Sequence, residues 1–274
     1  YKMNNLKAFT LKILHTTIWF FWRLLPNRFK SVLMDHSITD TLDYQTKKIK
    51  LIISSSISAQ RLNSCKKEPK TVEWITSNLD EAGVFYDIGA NTGAYSLIAA
   101  TLLNDTGRVV SFEPVPGTFS ELCQNILIND LDKLIVPINI ALNEKNDIMK
   151  FGLNSFSNGV GMHMGISKET KLSNNSDVTF HYLVKTYTLD SVVSEFKLPL
   201  PTLIKLDVDG PEFEILKGAK SILSSKTLRS LQIEIDQINQ PVDEILLLLK
   251  SHNLILKEKN RHGDSDIYDY VFFK

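Results

Sequence analysis

The chemistry legible in this sequence lies in a glycine-rich turn and a few acids placed at the ends of apolar runs. Val84-Phe-Tyr-Asp87-Ile-Gly89-Ala90-Asn91-Thr-Gly93-Ala-Tyr95-Ser96 reads as a strand ending in an acid, a glycine turn and the opening of a helix. Gly89 and Gly93 let backbone approach a ligand with no Cβ in the way. The helix N-terminus that follows offers unpaired N–H groups to a carboxylate or phosphate. One βα unit later, Arg108-Val-Val-Ser-Phe112-Glu113-Pro114 is a second strand ending in an acid, placed to accept both hydroxyls of a ribose.

A dinucleotide fingerprint needs G-x-G-x-x-G, and the turn here is G-A-N-T-G, without the second glycine. The spacing suits the amino-acid end of S-adenosylmethionine instead, with Asp87 near its ammonium group. The candidate cofactor-binding set is therefore Asp87, Gly89, Ala90, Asn91, Gly93 and Tyr95 around the turn, with Glu113 and Pro114 at the ribose. A lone glycine turn also fits an acid-capped helix in an unrelated α/β fold. The acid after the next strand is what makes the pattern specific.

A second group of charges follows. Lys205, Asp207 and Asp209 alternate along one strand and share a face if the strand continues; Gln232, Glu234 and Asp236 do the same on the next. Charges inside a parallel sheet are costly unless paired, and pairing Lys205 with Glu234 across neighbouring strands is the economical structural reading. Asp209 and Asp207 are the catalytic candidates, because a carboxylate in a dry site with a raised pKa can accept a proton from a substrate. Asp207, Asp209 and Glu234 could alternatively hold a divalent metal, though Lys205 would compete with it; no metal is assigned. His163 lies in a polar stretch expected to overlie the acceptor and is the third catalytic candidate, with a solvated loop histidine as the plainer alternative.

The elements that must position these residues alternate steadily. A helix begins near Pro69 and stops at Gly83. Strands are expected at Val84–Ile88, Arg108–Phe112, Ile135–Ala141, Leu203–Val208 and Ser230–Ile235, with a terminal pair at Leu254–Lys257 and Tyr268–Phe273. Helices are expected at Ala94–Leu103, Thr118–Asn129, Leu189–Phe196, Glu212–Leu223 and Val242–His252. Lys145 to Lys185 breaks the rhythm as a β-rich or loop excursion. The pattern predicts a doubly wound α/β fold with a mostly parallel seven-stranded sheet, Rossmann-like, binding ligands at its strands' carboxyl ends.

Bulk properties exclude little. The chain has 274 residues, 43% hydrophobic and 23% charged, ordinary for a globular protein. Lys plus Arg and Asp plus Glu stand at 31 each, so no global field favours nucleic acid. Two cysteines without ligand spacing point to a reducing, cytoplasmic setting. Phe9 to Leu25, with the run Trp19-Phe20-Phe21-Trp22, is shorter than the ~20 apolar residues that span a bilayer, and no small-residue cleavage site follows. As a helix it places Leu11, Leu14, Ile18, Phe21, Trp22 and Leu25 on one face, suited to packing, to a homodimer or to peripheral contact with a membrane.

Taken in order, D-I-G-A-N-T-G-A-Y-S and F-E-P resemble the cofactor signature of the FkbM family of methyltransferases. Further matches are Asn129, Ile140-Ala141-Leu142, Thr188-Leu189-Asp190, the run Ile204 to Glu212, Leu216 to Ala219, and Leu231 to Ile235. Lys67-Glu68-Pro69 with Thr71, Trp74 and Ile75 is similar to a stretch found in one branch. The resemblance runs from about Arg61 to the C-terminus and divides the chain into an N-terminal extension at 1–66, with an aromatic helix and a short strand, and a methyltransferase domain at 67–274. It implies a class I methyltransferase with S-adenosyl-L-methionine as cofactor, Ala141 and Asp207 joining the cofactor set, and a hydroxyl acceptor on a sugar-containing or other small molecule. Two other readings stand beside it. For an NAD-dependent oxidoreductase or epimerase, the sequence lacks the second glycine and a Tyr-x-x-x-Lys pair in the expected place, and a non-catalytic scaffold docking through the N-terminal helix leaves the cofactor motifs unused.

Overall fold

The structure is a computed structural model that describes residues 17, 20, 21, 23–29, 38–153, 165, 166 and 180–274. The chain divides into two compact units, 1–38 and 39–274. The aromatic helix expected at 9–25 falls mostly outside the described residues, and His163 lies outside them altogether. No helix among the described residues is long and apolar enough to cross a membrane.

The second unit opens with a hairpin, β1 (Thr39–Thr41) and β2 (Lys50–Ile52), followed by short helices α1 (Ser56–Gln60) and α2 (Ser64–Lys67). Leu42, Tyr44, Ile49 and Leu51 are buried in the same core as the glycine turn. The Asp43 carboxylate accepts the Cys65 and Lys66 amides at 2.9 and 2.8 Å, and the Asn129 side chain bridges both backbone groups of Lys50. Residues 39–66, grouped with the extension on sequence grounds, thus pack into the body of the second unit. Helix α3 (Pro69–Asn78) follows, with Pro69 in its first turn, where a missing N–H costs nothing.

The rest is the expected alternation: β3 (Val84–Ile88), α4 (Ala94–Ala100), β4 (Arg108–Phe112), α5 (Pro116–Ile128) and β5 (Ile135–Ile138). After an excursion come α6 (Leu189–Glu195), β10 (Leu203–Leu206), α7 (Glu212–Lys217), α8 (Lys220–Ser224), β11 (Ser230–Asp236), α9 (Val242–Ser251), β12 (Ile255–Arg261) and β13 (Ile267–Phe273). The sheet order is β12-β13-β11-β10-β3-β4-β5, parallel from β11 to β5, with β13 antiparallel to both its neighbours. Alternate side chains feed two cores. Tyr86, Ile88, Phe112 and Leu206 face Val192, Ile215 and Ile245, while Phe85, Val109 and Leu203 face Trp74, Ile98 and Leu122. Helices on both faces make the sheet doubly wound.

The excursion is β-structured among its described residues: β6 (Ala141–Leu142), β7 (Asp147–Leu153), β8 (Gly165–Ile166) and β9 (Phe180–Tyr187) form a second sheet ordered β6-β9-β7-β8. The strand expected at Ile135–Ala141 therefore ends at Ile138, and Ala141 belongs to this second sheet. The helix expected at Glu212–Leu223 is likewise two, broken at Gly218. A Cβ there would lie 2.3 Å from the Asn143 carbonyl oxygen, so only glycine lets the second sheet approach the helix pair.

Candidate active site

Chain order runs outward from β3 through β4 to β5, then returns to β10 on the other side of β3. That reversal is the switch point, where the carboxyl ends of the strands open a crevice. A cavity of about 490 Å³ occupies it, within the usual size of a small-molecule site. Its walls bring together Gly89, Ala90, Asn91, Tyr95, Glu113, Pro114, Ala141, Asp207 and Asp209, drawn from four separate stretches of sequence.

The glycine turn is fixed by backbone. Gly89 has φ +85°, its amide and that of Ala90 donate to the Phe112 carbonyl, and a Cβ on it would lie 1.8 Å from the Asp207 carbonyl oxygen. Gly89 therefore serves the close approach of β10 to the turn. Asp87 and Gly93 stand behind the cavity rather than on its wall. Asp87 is fully buried, accepting from Ser96 Oγ at 2.6 Å while its Oδ1 has no partner among the described residues. Burial raises its pKa, with Lys205 pulling the other way. Gly93 begins α4 and faces Leu122.

Glu113 is buried and accepts the amides of Asn91 and Val115 at 3.0 and 2.9 Å, one on each oxygen. Burial pushes its pKa up to about 7, against those two hydrogen bonds. It thus ties the turn after β3 to the loop after β4 while facing the cavity.

Lys205 does not reach Glu234. Its Nζ donates to Asp207 Oδ2 at 2.6 Å on its own strand and lies 4.9 Å from the centre of the Tyr95 ring. The register explains this, since Lys205 lies opposite Asp87 on one side and Gln232 on the other, leaving Glu234 two positions further along. Burial alone would push Asp207 up, but the Lys205 ammonium holds it below its ordinary range. Asp207, Asp209 and Glu234 each place an oxygen within 4.8 Å of the others. The ammonium already neutralises one of these acids from within the chain.

Asp209 is open to the cavity and has φ +59°, a strained left-handed conformation for a non-glycine residue. Glu212 holds that turn: its carboxylate accepts the amides of Val208 and Gly210 at 3.0 Å each and the Gln240 side chain at 2.6 Å. Desolvation, then the Asp207 charge, push Asp209 up to about 7.

Sequence reasoning missed part of the wall. Ile57, Gln60, Arg61, Ser64 and Lys67 line it from α1 to α2. Tyr95 Oη donates to the buried Glu68 at 2.7 Å, and Lys67 pairs with the same carboxylate at 3.0 Å. The Lys67-Glu68-Pro69 run was the signal, noted for its likeness but given no role. Glu234 also lines the cavity, and behind it stand His262 and Asp269, which carried no motif.

The comparisons agree with this architecture. A family model described as the methyltransferase FkbM domain matches residues 87–256. Hexuronic acid methyltransferase AglP of Haloferax volcanii is 26% identical over 208 residues, covering 75% of this chain and 77% of that protein. The crystal structure of methyltransferase FkbM from Methylobacillus flagellatus KT superposes with a TM-score of 0.50 at 16% identity, over 81% of this chain and 56% of that one. The family match starts at the strand-end acid Asp87 and spans every acid that lines the cavity, Glu113, Asp207, Asp209 and Glu234, and on it the chain belongs to the FkbM family of methyltransferases.

Proposed function

We propose that this methyltransferase uses S-adenosylmethionine to methylate a hydroxyl of a sugar-containing or other small hydroxylated acceptor. One observation carries the reading: a single cavity at the switch point holds both the ribose-type acid Glu113 and the reaction-type acids Asp207 and Asp209, on opposite sides of the glycine turn. The donor set fits the cofactor. A carboxylate has about four lone-pair sites, so Glu113 retains acceptor capacity for a diol after binding its two amides. The position that a dinucleotide fingerprint gives to its second glycine is Asn91, so the turn lacks the bare backbone that a pyrophosphate approaches.

Bound there, the cofactor supplies an electrophilic methyl group on a sulfonium. The chain must hold it, align the acceptor and take up the acceptor's proton. Asp209 is assigned that proton, since a pKa near 7 suits a general base at neutral pH. Asp207 is the poorer base because Lys205 holds down its proton affinity. The relative AglP is a hexuronic acid methyltransferase, and Arg61 and Lys67 on the cavity wall supply cations that suit an acidic sugar.

Isothermal titration with S-adenosylmethionine and with NADH tests the cofactor, and transfer of labelled methyl to p-nitrophenyl glucuronide and p-nitrophenyl glucoside tests the acceptor class. Binding of the sulfonium alone, with label on a sugar hydroxyl, is expected. NADH binding would favour the oxidoreductase reading, and binding of neither the scaffold reading.

A further inference from the structure

The antiparallel end of the sheet contributes a histidine that the assigned chemistry leaves unused. His262 follows β12 and sits between two carboxylates, its Nε2 2.7 Å from Asp269 Oδ2 and its Nδ1 3.2 Å from Glu234 Oε2. Glu234 on β11 and Asp269 on β13 are opposite each other in the ladder, so the turn between β12 and β13 folds the imidazole over a fixed pair. All three groups are largely buried, with side-chain exposures of 20% for His262, 15% for Glu234 and 8% for Asp269. The Asp269 carboxylate on Nε2 favours the doubly protonated imidazolium, which leaves an Nδ1–H facing Glu234 Oε2 at 3.2 Å.

The consequence reaches the cavity. Glu234 lines it, and because Oε2 faces His262, Oε1 is the oxygen left for whatever enters. The same carboxyl lies within 4.8 Å of oxygens of Asp207 and Asp209. We propose that His262, anchored by Asp269, is a positioning residue for methyl transfer, holding Glu234 so that its free oxygen hydrogen-bonds the acceptor hydroxyl beside Asp209. In the step itself the methyl carbon leaves the sulfonium sulfur and bonds to the acceptor oxygen. The sulfur keeps the electron pair of the broken bond, and the hydroxyl proton passes to Asp209. Glu234 and His262 end as they began. Burial first, then the charges of Asp207, Asp209 and Asp269, push Glu234 up to about 9, which suits a carboxylic acid that orients rather than a base. This role rests on the methyltransferase reading proposed above.

The test uses the full chain with p-nitrophenyl glucuronide as acceptor, and His262→Ala, His262→Gln and Asp269→Asn as variants. Expected is a fall in kcat of about 10²-fold for His262→Ala with a raised KM for the glucuronide and unchanged titration of S-adenosylmethionine. Partial recovery by added imidazole and a smaller loss in His262→Gln, which keeps one N–H donor, would follow. Nitrogen-15 NMR of the unliganded protein at neutral pH should show both His262 ring nitrogens protonated in wild type and not in Asp269→Asn. That readout survives even if the acceptor class is wrong. Activity within twofold of wild type in all three variants, or a neutral His262 ring in wild type, overturns the proposal. So does chelator-sensitive activity restored by a divalent ion only while His262 is present, which would make the ring a metal ligand.

Discussion

Lys205 Nζ and Asp207 Oδ2 meet at 2.6 Å, with the lysine side chain only 3% exposed. The pair lies at the carboxyl end of β10, against the glycine turn through the Asp207 carbonyl. Lys205 also faces Asp87 across the ladder, so one ammonium serves two strand-end acids.

Lys205→Met should therefore destabilise the fold. Removing one partner of a buried ion pair typically costs ~3–5 kcal/mol, because the other charge stays buried and unpaired. Lys205→Met combined with Asp207→Asn should recover much of the loss. Denaturant unfolding of wild type, single and double variants measures it, and a single variant as stable as wild type would show that the pair carries no net stability.

How far the sequence reached is clear from particular residues. Val84–Ile88 and Arg108–Phe112 matched residue for residue, because each is a β-branched or aromatic run bounded by a glycine and an acid. The need for glycine at 218 was not legible, since the group that excludes a side chain there is the Asn143 carbonyl, distant in sequence. Lys205 was paired with the wrong acid because register decides partners and is not encoded in spacing along one strand. The wall from Gln60 to Lys67 was hidden for the same reason: three-dimensional packing brings an unremarkable stretch over the cavity.

Stability should fall as the solution turns alkaline. Glu113, Asp209 and Glu212 are pushed up to about 7 and Glu234 to about 9, each mainly by burial. Between the ordinary values of 3.8 to 4.5 and those raised values, the folded state holds protons that the unfolded chain has lost. Stability then decreases with rising pH. His262, raised chiefly by its bond to Asp269, acts in the same direction above its ordinary 6.5. Asp207 opposes them in acid, because its depressed pKa gives stability that is lost as pH drops through the folded value. Melting temperature without ligand should peak in mild acid, and Asp209→Asn should flatten the decline up to about 7. A melting temperature climbing steadily from 4.5 to 9 would contradict these shifts.

Glu113→Ala should weaken S-adenosylmethionine binding. Hydrogen bonds to a charged acceptor contribute ~1.5–3 kcal/mol, so the loss is about 10- to 150-fold in Kd. Glu113 also ties Asn91 to Val115, so Glu113→Gln, which keeps an acceptor oxygen, is the control. Unchanged affinity in both variants by isothermal titration would reject the ribose assignment.

Deleting residues 1–30 should leave cofactor affinity unchanged, because among the described residues the cavity wall begins at Ile57, within the second unit. The apolar stripe from Leu11 to Leu25 makes oligomeric state or solubility the property that should change. Light scattering before and after deletion reads it. Loss of cooperative unfolding would place the stripe in the core.

Asp209→Asn should retain cofactor affinity and lose most methyl transfer. Its position is the reason: Asp209 follows β10 and lines the cavity, whereas Glu113 follows β4, across the glycine turn, on the side proposed for the ribose. The left-handed backbone that aims it is held by Glu212 from below, and asparagine tolerates that conformation well, so the substitution removes the base without releasing the turn. Removing a positioned base typically costs ~10²–10⁴-fold in rate. Catalysis by alignment alone would leave the rate close to wild type, since displacement at a methyl carbon depends heavily on geometry. A metal held by Asp207, Asp209 and Glu234 forecasts a third outcome, activity abolished by chelator and restored by a divalent ion, and the Lys205 ammonium on Asp207 weighs against it. Single-turnover rates for wild type and Asp209→Asn, each with and without chelator, separate all three. A near-wild-type rate in the variant would remove Asp209 from the mechanism and leave the acceptor's proton to Glu234 or to water.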